Sequence, residues 1–243
     1  MAARQSLDLE GEHHRRFHRP GGRPNVGLAV ALILVIGNKN YSSWSLRPWF
    51  LMKHFGIEFD EVKLSLDTPS FAEQIGQWSP SGRVPVLLDD GVAVWDSLAI
   101  AEYVNETRLD GRGWPDSPAR RAAARSVVAE MHAGFAAMRS ELPMNVRRPQ
   151  GTVTMSAAAM RDIERILDIW SDCLTTSSGP FLFGAYSIAD AFYAPVALRF
   201  QTYRVAMSSL VSGYHATMLA HPALREWCAD AAAETEVVAA DER

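Results

Sequence analysis

The stretch Asn40-Tyr41-Ser42-Ser43-Trp44-Ser45-Leu46-Arg47-Pro48-Trp49 decides the fold of the first half of the chain. It follows the apolar run 28–36, which is short and rich in Val, Ile and Leu and therefore predicts a buried strand. It leads into Leu46, Phe50 and Leu51, whose spacing predicts a helix from Ser43 to about Phe55. The serines thus lie where a strand passes into a helix.

Two interpretations of these serines stay open on the residues alone. Serine is a favoured N-terminal cap, because its oxygen accepts a free backbone N–H. Alternatively, a hydroxyl, the free N–H groups and the positive end of the helix dipole together bind an anion. Capping explains one serine readily, but three serines in four positions less well.

Composition bounds the function. The chain has 243 residues, enough for one large or two modest domains, and its net charge of −4 does not suggest a nucleic-acid surface. Cys173 and Cys228 have no CxxC or metal-like spacing, so we interpret them as buried small residues in a reducing, cytoplasmic protein. No membrane span and no metal site are expected.

Residues 1–26 are interpreted as a disordered N-terminal extension. Arginines precede the apolar run as in a signal peptide, but no small-x-small cleavage site follows it. The run is also far shorter than the roughly 20 residues of a membrane helix. His13, His14 and His18 belong to this extension, which offers no rigid ligand set for a metal.

The rest of the first half predicts a small α/β unit of the thioredoxin type over residues 27–107. A second strand over 57–64 gives strand–helix–strand, which favours parallel pairing. Asp90-Gly91 between two apolar runs in 84–94 predicts a β-hairpin. A helix then begins near Leu98, with either Asp96 or Ser97 as its cap.

The second half changes class. Residues 108–117 have the composition of a linker, and an all-helical domain is predicted over 118–233, followed by a tail over 234–243. Helical patterns cover residues 117–141, 156–176, 187–203 and 221–233. Ser187 and Asp190, three positions apart at a helix start, match the capping box and are interpreted as structural.

Three separated motifs resemble the cytosolic glutathione S-transferase family. Ser42-Ser43-Trp44-Ser45, with Arg47 soon after, resembles the Ser-Ser-Cys-Ser pattern of the zeta class. Residues 83–87, with Asp96-Ser97 beyond them, are similar to the glutathione-holding Val-Pro and acid-Ser pairs. Residues 184–190 resemble the helix-capping box of the family's C-terminal domain. The likeness extends over nearly all of residues 29–233.

The resemblance implies a role for individual residues. Ser42 aligns with the catalytic serine, and Ser43 is its nearest substitute. Val84, before a cis-Pro85, is implied to pair its backbone with the cysteinyl part of glutathione. Asp96 and Ser97 are implied to hold the γ-glutamyl end, and Arg83 to neutralise the glycyl carboxylate.

The resemblance also implies activity and partners. The expected protein is a homodimeric, cytoplasmic glutathione transferase that detoxifies small hydrophobic electrophiles, with glutathione as co-substrate. A maleylacetoacetate-type isomerase and a non-catalytic glutathione-binding protein are the alternatives. Trp44 stands where the zeta pattern has cysteine, which argues against thiol-disulfide chemistry and puts the isomerase in doubt. Tyr41 is the alternative hydroxyl donor, one position early.

Overall fold

The computed structural model describes residues 32–242. The predicted extension over residues 1–26, with its three histidines, lies outside the described residues, as does the first part of the apolar run. Within the described range, no helix is both long and apolar enough to cross a membrane.

In the part of the chain that the structure describes, four short strands form one mixed sheet in the order β2-β1-β3-β4. Their bounds are β1 Ile33–Ile36, β2 Asp60–Lys63, β3 Val86–Asp89 and β4 Val92–Trp95. β1 and β2 are parallel, whereas β3 is antiparallel to β1 and β4. The predicted parallel crossover and hairpin are confirmed. The hairpin turns at Asp90 and Gly91, both at positive φ, as a tight two-residue turn requires.

Helices supply the rest of the architecture. Those of the first half are α1 Ser43–His54, α2 Pro69–Ile75 and α3 Ser97–Arg108. Those of the second half are α4 Pro118–Ala133, α5 Ala136–Glu141, α6 Ala157–Thr176, α7 Ile188–Thr202, α8 Ser209–Ala220 and α9 Pro222–Ala233. A single 3₁₀ turn, Ala239–Asp241, follows. The predicted combination of an α/β unit and an all-helical half is confirmed.

The predicted helical stretch 117–141 is divided in the structure. α4 ends at Gly134, where an added Cβ would lie only 2.7 Å from the carbonyl oxygen of Glu130. Phe135 follows in the left-handed region, with φ of 60°, and α5 starts in a new direction. α8 is not predicted by the sequence, because Gly213 and several hydroxyl residues interrupt its apolar pattern.

One core joins the two halves. α1 packs against α3, α7 and α9, and most of its side chains are buried. Trp49 of α1 meets Trp227 of α9 edge-on, with ring centroids 5.1 Å apart, and its Nε1 donates to Glu61 Oε2 at 2.6 Å. The start of α1 is therefore held rigidly between the sheet and the helical half.

Candidate active site

The loop before α1 is fixed by the C-terminal segment. Both carboxylate oxygens of Glu234 accept backbone N–H groups, from Lys39 at 2.8 Å and from Asn40 at 3.0 Å. The Lys39 carbonyl in turn accepts from Trp227 Nε1 at 2.9 Å. These contacts join positions almost 200 residues apart in sequence and set where the chain enters α1.

Ser42 is the N-terminal cap of α1, and its hydroxyl is paired with Ser45. Ser42 Oγ accepts weakly from the Ser45 backbone N–H at 3.4 Å and donates to Ser45 Oγ at 2.7 Å. Ser45 Oγ also accepts from Gly37 N–H at 3.1 Å. Ser42 is only 6% exposed and Ser45 is fully buried. The site therefore contains a short hydroxyl chain, not an isolated serine.

Ser43 has a different environment. As the first residue of α1, it accepts from Arg199 Nη2 at 3.4 Å. It is as buried as Ser42, with 6% exposure. The two predicted catalytic serines are thus adjacent, but Ser42 points to a hydroxyl and Ser43 to a guanidinium.

Tyr41, the alternative donor, is engaged by the C-terminal segment. Its hydroxyl donates to Glu242 Oε1 and accepts from Arg147 Nη2 at 2.9 Å. Its side chain is buried, with 5% exposure. Because both sides of the hydroxyl have protein partners, Tyr41 would have to break a buried contact before it could act on a ligand.

The second group of predicted residues precedes β3. The Val84–Pro85 peptide bond is cis. Pro85 is buried, Val84 is half-buried and Arg83 is exposed. Val84 thus lies just before the first residue of β3, the strand that pairs with β1.

Asp96 and Ser97 form the start of α3. Asp96 is the cap, with its Oδ1 accepting from Leu98 N–H at 2.8 Å, and it adopts a positive φ of 73°. Ser97 is 1% exposed, and its Oγ accepts from Arg47 Nη1 at 3.4 Å. Through Arg47, the start of α3 is tied to the second turn of α1.

Four cationic or titratable side chains lie near the first residues of α1, three of them against Trp44 and Arg199 against Ser43. We call them the arginine cluster: Arg47, Arg139, Arg199 and His132. The guanidinium carbons of Arg47 and Arg139 each lie 4.2 Å from the Trp44 ring centroid. The His132 ring meets Trp44 edge-on at 5.3 Å, and its Nε2 lies 3.3 Å from Asp96 Oδ2.

The surroundings of the buried arginines disfavour their charged forms. Burial lowers the pKa of Arg47 well below its ordinary value, and the charges of Arg139 and Arg199 lower it further, opposed by Asp96. Burial, then the charge of Arg139, lowers the pKa of Arg199 to about 10. None of the ion pairs within residues 32–242 involves any of these three arginines. The sequence alone predicts an internal salt bridge for Arg47, next to the serine motif, and this prediction is wrong.

Sequence reasoning missed most of this cluster. Arg139 and His132 lie on helices whose polar faces looked ordinary, and only packing brings them to Trp44. Arg199 carried a usable signal, because it stands in the apolar run 194–200 of a helix that is buried all round. A charged residue in such a run must find buried partners.

The structural capping pair lies away from these groups. Asp190 Oδ2 accepts from Ser187 N–H at 2.8 Å at the start of α7, and Oδ1 accepts from Leu182 N–H at 3.1 Å. Complete burial raises the pKa of Asp190 to about 6, although these donors act in the opposite direction. The pair fixes the start of α7, and so the position of Arg199 about three turns later.

Comparison with known proteins agrees with this architecture. The model of the glutathione S-transferase N-terminal domain matches residues 41–107, and that of the C-terminal domain matches residues 147–230. Together they cover more than half of the chain. The chain belongs to the glutathione S-transferase family.

Individual relatives are more distant. A maleylacetoacetate isomerase from Rattus norvegicus is 27% identical over 170 residues, which is 68% of this chain and 76% of that protein. A glutathione transferase homologue from Burkholderia, solved with bound glutathione, has a TM-score of 0.65 at 21% identity and covers 83% of this chain and 98% of that one. A diazinon-metabolizing glutathione S-transferase from the silkworm Bombyx mori has a TM-score of 0.67 at 16% identity, covering 84% of this chain and 98% of its own. At these identities, the two solved structures establish the fold.

Proposed function

We propose that this protein is a glutathione transferase, in which Ser42 stabilises the thiolate of bound glutathione for attack on a small electrophile. The observation that carries the proposal is the position of the Ser42 hydroxyl at the buried start of α1, next to a second hydroxyl that supports it. The family relationship, with glutathione bound in the related Burkholderia structure, supports glutathione as the ligand.

The chemistry requires a lower thiol pKa. A free thiol has a pKa of about 8.5 and is mostly protonated at neutral pH, while the thiolate is the nucleophile. A hydrogen bond to the charged sulfur contributes about 1.5–3 kcal/mol, and a helix N-terminus about 0.3–1 kcal/mol. At about 1.36 kcal/mol per unit, the two lower the thiol pKa by roughly 1.5–3 units. That shift makes the thiolate the main form at pH 7.

Ser45 supports this role because its hydroxyl can accept the Gly37 N–H and donate a hydrogen bond to Ser42 at the same time. A hydroxyl rotates to suit its partners, so the Ser42–Ser45 hydrogen bond reverses when a thiolate is present. Ser45 then donates to Ser42 Oγ, still accepting from Gly37 N–H, and Ser42 donates to the sulfur. Each bond in such a chain polarises the next. Ser42 stays protonated throughout and acts only as a donor.

Glutathione is expected to lie across the starts of α1, β3 and α3. The Val84 backbone pairs with its cysteinyl part, Asp96 takes the γ-glutamyl amine, and Ser97 with the start of α3 takes the γ-glutamyl carboxylate. Arg83, exposed at the rim, neutralises the glycyl carboxylate. These assignments rest on the family motifs, together with the closeness of α1 and α3 through Arg47 and Ser97.

The test measures glutathione binding by calorimetry and the pKa of the bound thiol by thiolate ultraviolet absorption. We expect a depressed pKa in the wild type and a rise of roughly 1–2 units in Ser42→Ala, with little change in Ser43→Ala as the matched control. A rise in Ser43→Ala alone would transfer the role to Ser43. Binding with an unshifted thiol would identify a non-catalytic glutathione-binding protein, and absence of binding would overturn the proposal.

A second candidate is glutathione-dependent cis–trans isomerisation, favoured by the likeness to the rat maleylacetoacetate isomerase. Addition of the thiolate to a conjugated double bond, rotation and elimination would regenerate glutathione. The two activities differ in stoichiometry, because a transferase consumes one glutathione per product and an isomerase consumes none. Trp44, in place of the zeta-class cysteine, favours the transferase.

Assembly and location follow the family expectation. The edge strand β4 exposes Val92 and Trp95, with 49% and 45% of their surface accessible. Such residues suit the interface of a homodimer. Sedimentation equilibrium of the wild type and of Trp95→Lys tests this, since a dimer built on this edge weakens in the variant. Two free cysteines agree with a reducing cytoplasm as the expected location.

A further inference from the structure

We propose that the arginine cluster binds the carboxylate of the second substrate, so that the electrophiles of this enzyme are small anions. This inference rests on the transferase function proposed above and specifies its substrate class. It replaces the expectation of a purely hydrophobic electrophile.

Unused hydrogen-bond donors are the first observation. Arg47 is fully buried, yet its Nε and Nη2 have no hydrogen-bond partner. Arg139 Nη2 and His132 Nδ1, on α5 and α4, are likewise buried and unpartnered. A buried guanidinium without a counterion is costly, and leaving its donors unpaired adds to that cost. An anion that receives these donors offsets both.

The charge arrangement is the second observation. After burial, the charges of Arg139 and Arg199 lower the pKa of Arg47, and the charge of Arg139 lowers that of Arg199, which means that these positive charges repel. The Asp96 carboxylate opposes this repulsion at Arg47, and its Oδ1 also caps α3. A planar guanidinium suits a carboxylate because it donates two parallel hydrogen bonds. The cluster therefore carries more positive than negative charge, and a carboxylate fits the donors present.

The carboxylate bound by the arginine cluster could belong to glutathione or to the second substrate, and the part of the chain that supplies the cluster distinguishes the two. The expected glutathione contacts, Val84, Asp96 and Ser97, all come from the first half of the chain. Arg139, His132 and Arg199 come from the helical half. Arg139 and His132 contact the half-buried Trp44 ring, and Arg199 contacts Ser43 beside it. A carboxylate that receives these donors would therefore lie on the helical side of the site. We therefore assign the cluster to the second substrate, not to glutathione.

The reaction balances without a further reactant. With 4-chloro-3-nitrobenzoate as the probe, a carbon–sulfur bond forms at the chlorine-bearing carbon and the carbon–chlorine bond breaks. Chloride leaves, and the thiol proton passes to solvent. The carboxylate remains unchanged and serves only for binding.

The test compares 4-chloro-3-nitrobenzoate with 4-chloro-3-nitrobenzamide, which differ only in the charged group. The kcat/KM for each is divided by its uncatalysed rate with glutathione. We expect wild type to prefer the acid by at least about tenfold, and Arg139→Gln to reduce that preference by about 10- to 100-fold, as the loss of a charge-assisted hydrogen bond implies. Arg139→Lys, which keeps the charge without the planar fork, should be intermediate. Arg161→Gln, an exposed arginine of α6, is the matched control and should keep the preference.

A second readout needs neither glutathione nor catalysis. Benzoate should raise the melting temperature of wild type more than benzamide does, and Arg139→Gln should lose the difference while folding normally by circular dichroism. Equal rates on acid and amide in wild type, with no benzoate stabilisation, would overturn the inference while leaving the transferase intact. A fall in glutathione affinity in Arg139→Gln, with the acid preference unchanged, would assign the cluster to glutathione instead. Failure of glutathione to bind, with benzoate stabilisation retained, would remove the proposed function and leave the anion site.

Discussion

Ser45 Oγ lies 2.7 Å from Ser42 Oγ and 3.1 Å from the backbone nitrogen of Gly37. The serine expected to contact the sulfur of glutathione is therefore backed by a second, fully buried hydroxyl that is itself anchored to the loop after β1. Ser45 is a positioning residue, since it reaches the ligand only through Ser42.

Replacing Ser45 with alanine should raise the pKa of bound glutathione by less than the Ser42→Ala change does. The loss of one neutral hydrogen bond corresponds to about 0.5–1.5 kcal/mol, or roughly 0.4–1 pKa unit. The measurement is the pH titration of thiolate absorption in Ser42→Ala, Ser45→Ala and the double variant. The double variant should match Ser42→Ala, because Ser45 acts through Ser42. A pKa that is higher still in the double variant would mean that Ser45 acts on the sulfur independently.

Replacing Tyr41 with phenylalanine separates the two hydroxyl hypotheses. We expect no change in the pKa of bound glutathione, because the Tyr41 hydroxyl is held by Glu242 and Arg147. The free energy of unfolding should fall by about 1–2 kcal/mol, since a buried donor and its partners lose their pairing. Titration of the bound thiol and denaturant unfolding measure the two effects. If the pKa of bound glutathione rose in Tyr41→Phe and kept its wild-type value in Ser42→Ala, Tyr41 would be the donor.

Local patterns carried the predictions that succeeded. α1 was predicted from the apolar spacing of Leu46 and Phe50, and the hairpin from Asp90-Gly91, because each signal lies within a few residues of the structure it forms. Val84–Pro85 is different, since only the family resemblance, and no local rule, favoured the cis bond found there.

Long-range packing produced what the sequence did not reveal. Arg47, Arg139 and Arg199 belong to three helices, and no spacing in the sequence indicates that they meet at Ser43 and Trp44. Glu234 lies 195 positions from Lys39, so its capping of the loop before α1 depends on the whole helical half folding back. Contacts of this kind follow from the tertiary arrangement, which a single sequence does not encode in any local pattern.

Replacing Glu234 with alanine should lower the free energy of unfolding far more than replacing an exposed glutamate does. The change leaves the Lys39 and Asn40 N–H groups without their acceptor in a buried loop, at a cost of about 2–3 kcal/mol. Denaturant unfolding measures the change. The matched control is Glu226→Ala on α9, which loses only an exposed ion pair with Lys53 and should cost less than about 1 kcal/mol. Equal losses in the two variants would contradict the role assigned to Glu234.

Replacing His54 with phenylalanine should reduce the acid sensitivity of the fold. His54 Nδ1 lies 2.9 Å from His221 Nε2, and the His54 ring stacks on Tyr186 with centroids 3.6 Å apart. Burial, then the neighbouring charge of His221, lowers the pKa of His54 to about 4. The pKa of histidine in the unfolded chain is about 6.5. Between about pH 4 and pH 6.5, His54 is therefore protonated in the unfolded chain and neutral in the folded protein. The free energy of unfolding therefore decreases as the pH falls from 6.5 towards 4.

Phenylalanine keeps the stacked ring and cannot be protonated. Between pH 7 and pH 5, His54→Phe should lose about 1 kcal/mol less stability than wild type, a figure that allows for solvent around a half-buried ring. Urea unfolding at the two pH values measures the difference. Comparing the variant with wild type is essential, because Asp190, with its pKa raised to about 6, changes stability in the opposite direction over the same range. Identical pH slopes for the two proteins would show that the His54–His221 pair carries none of the acid sensitivity.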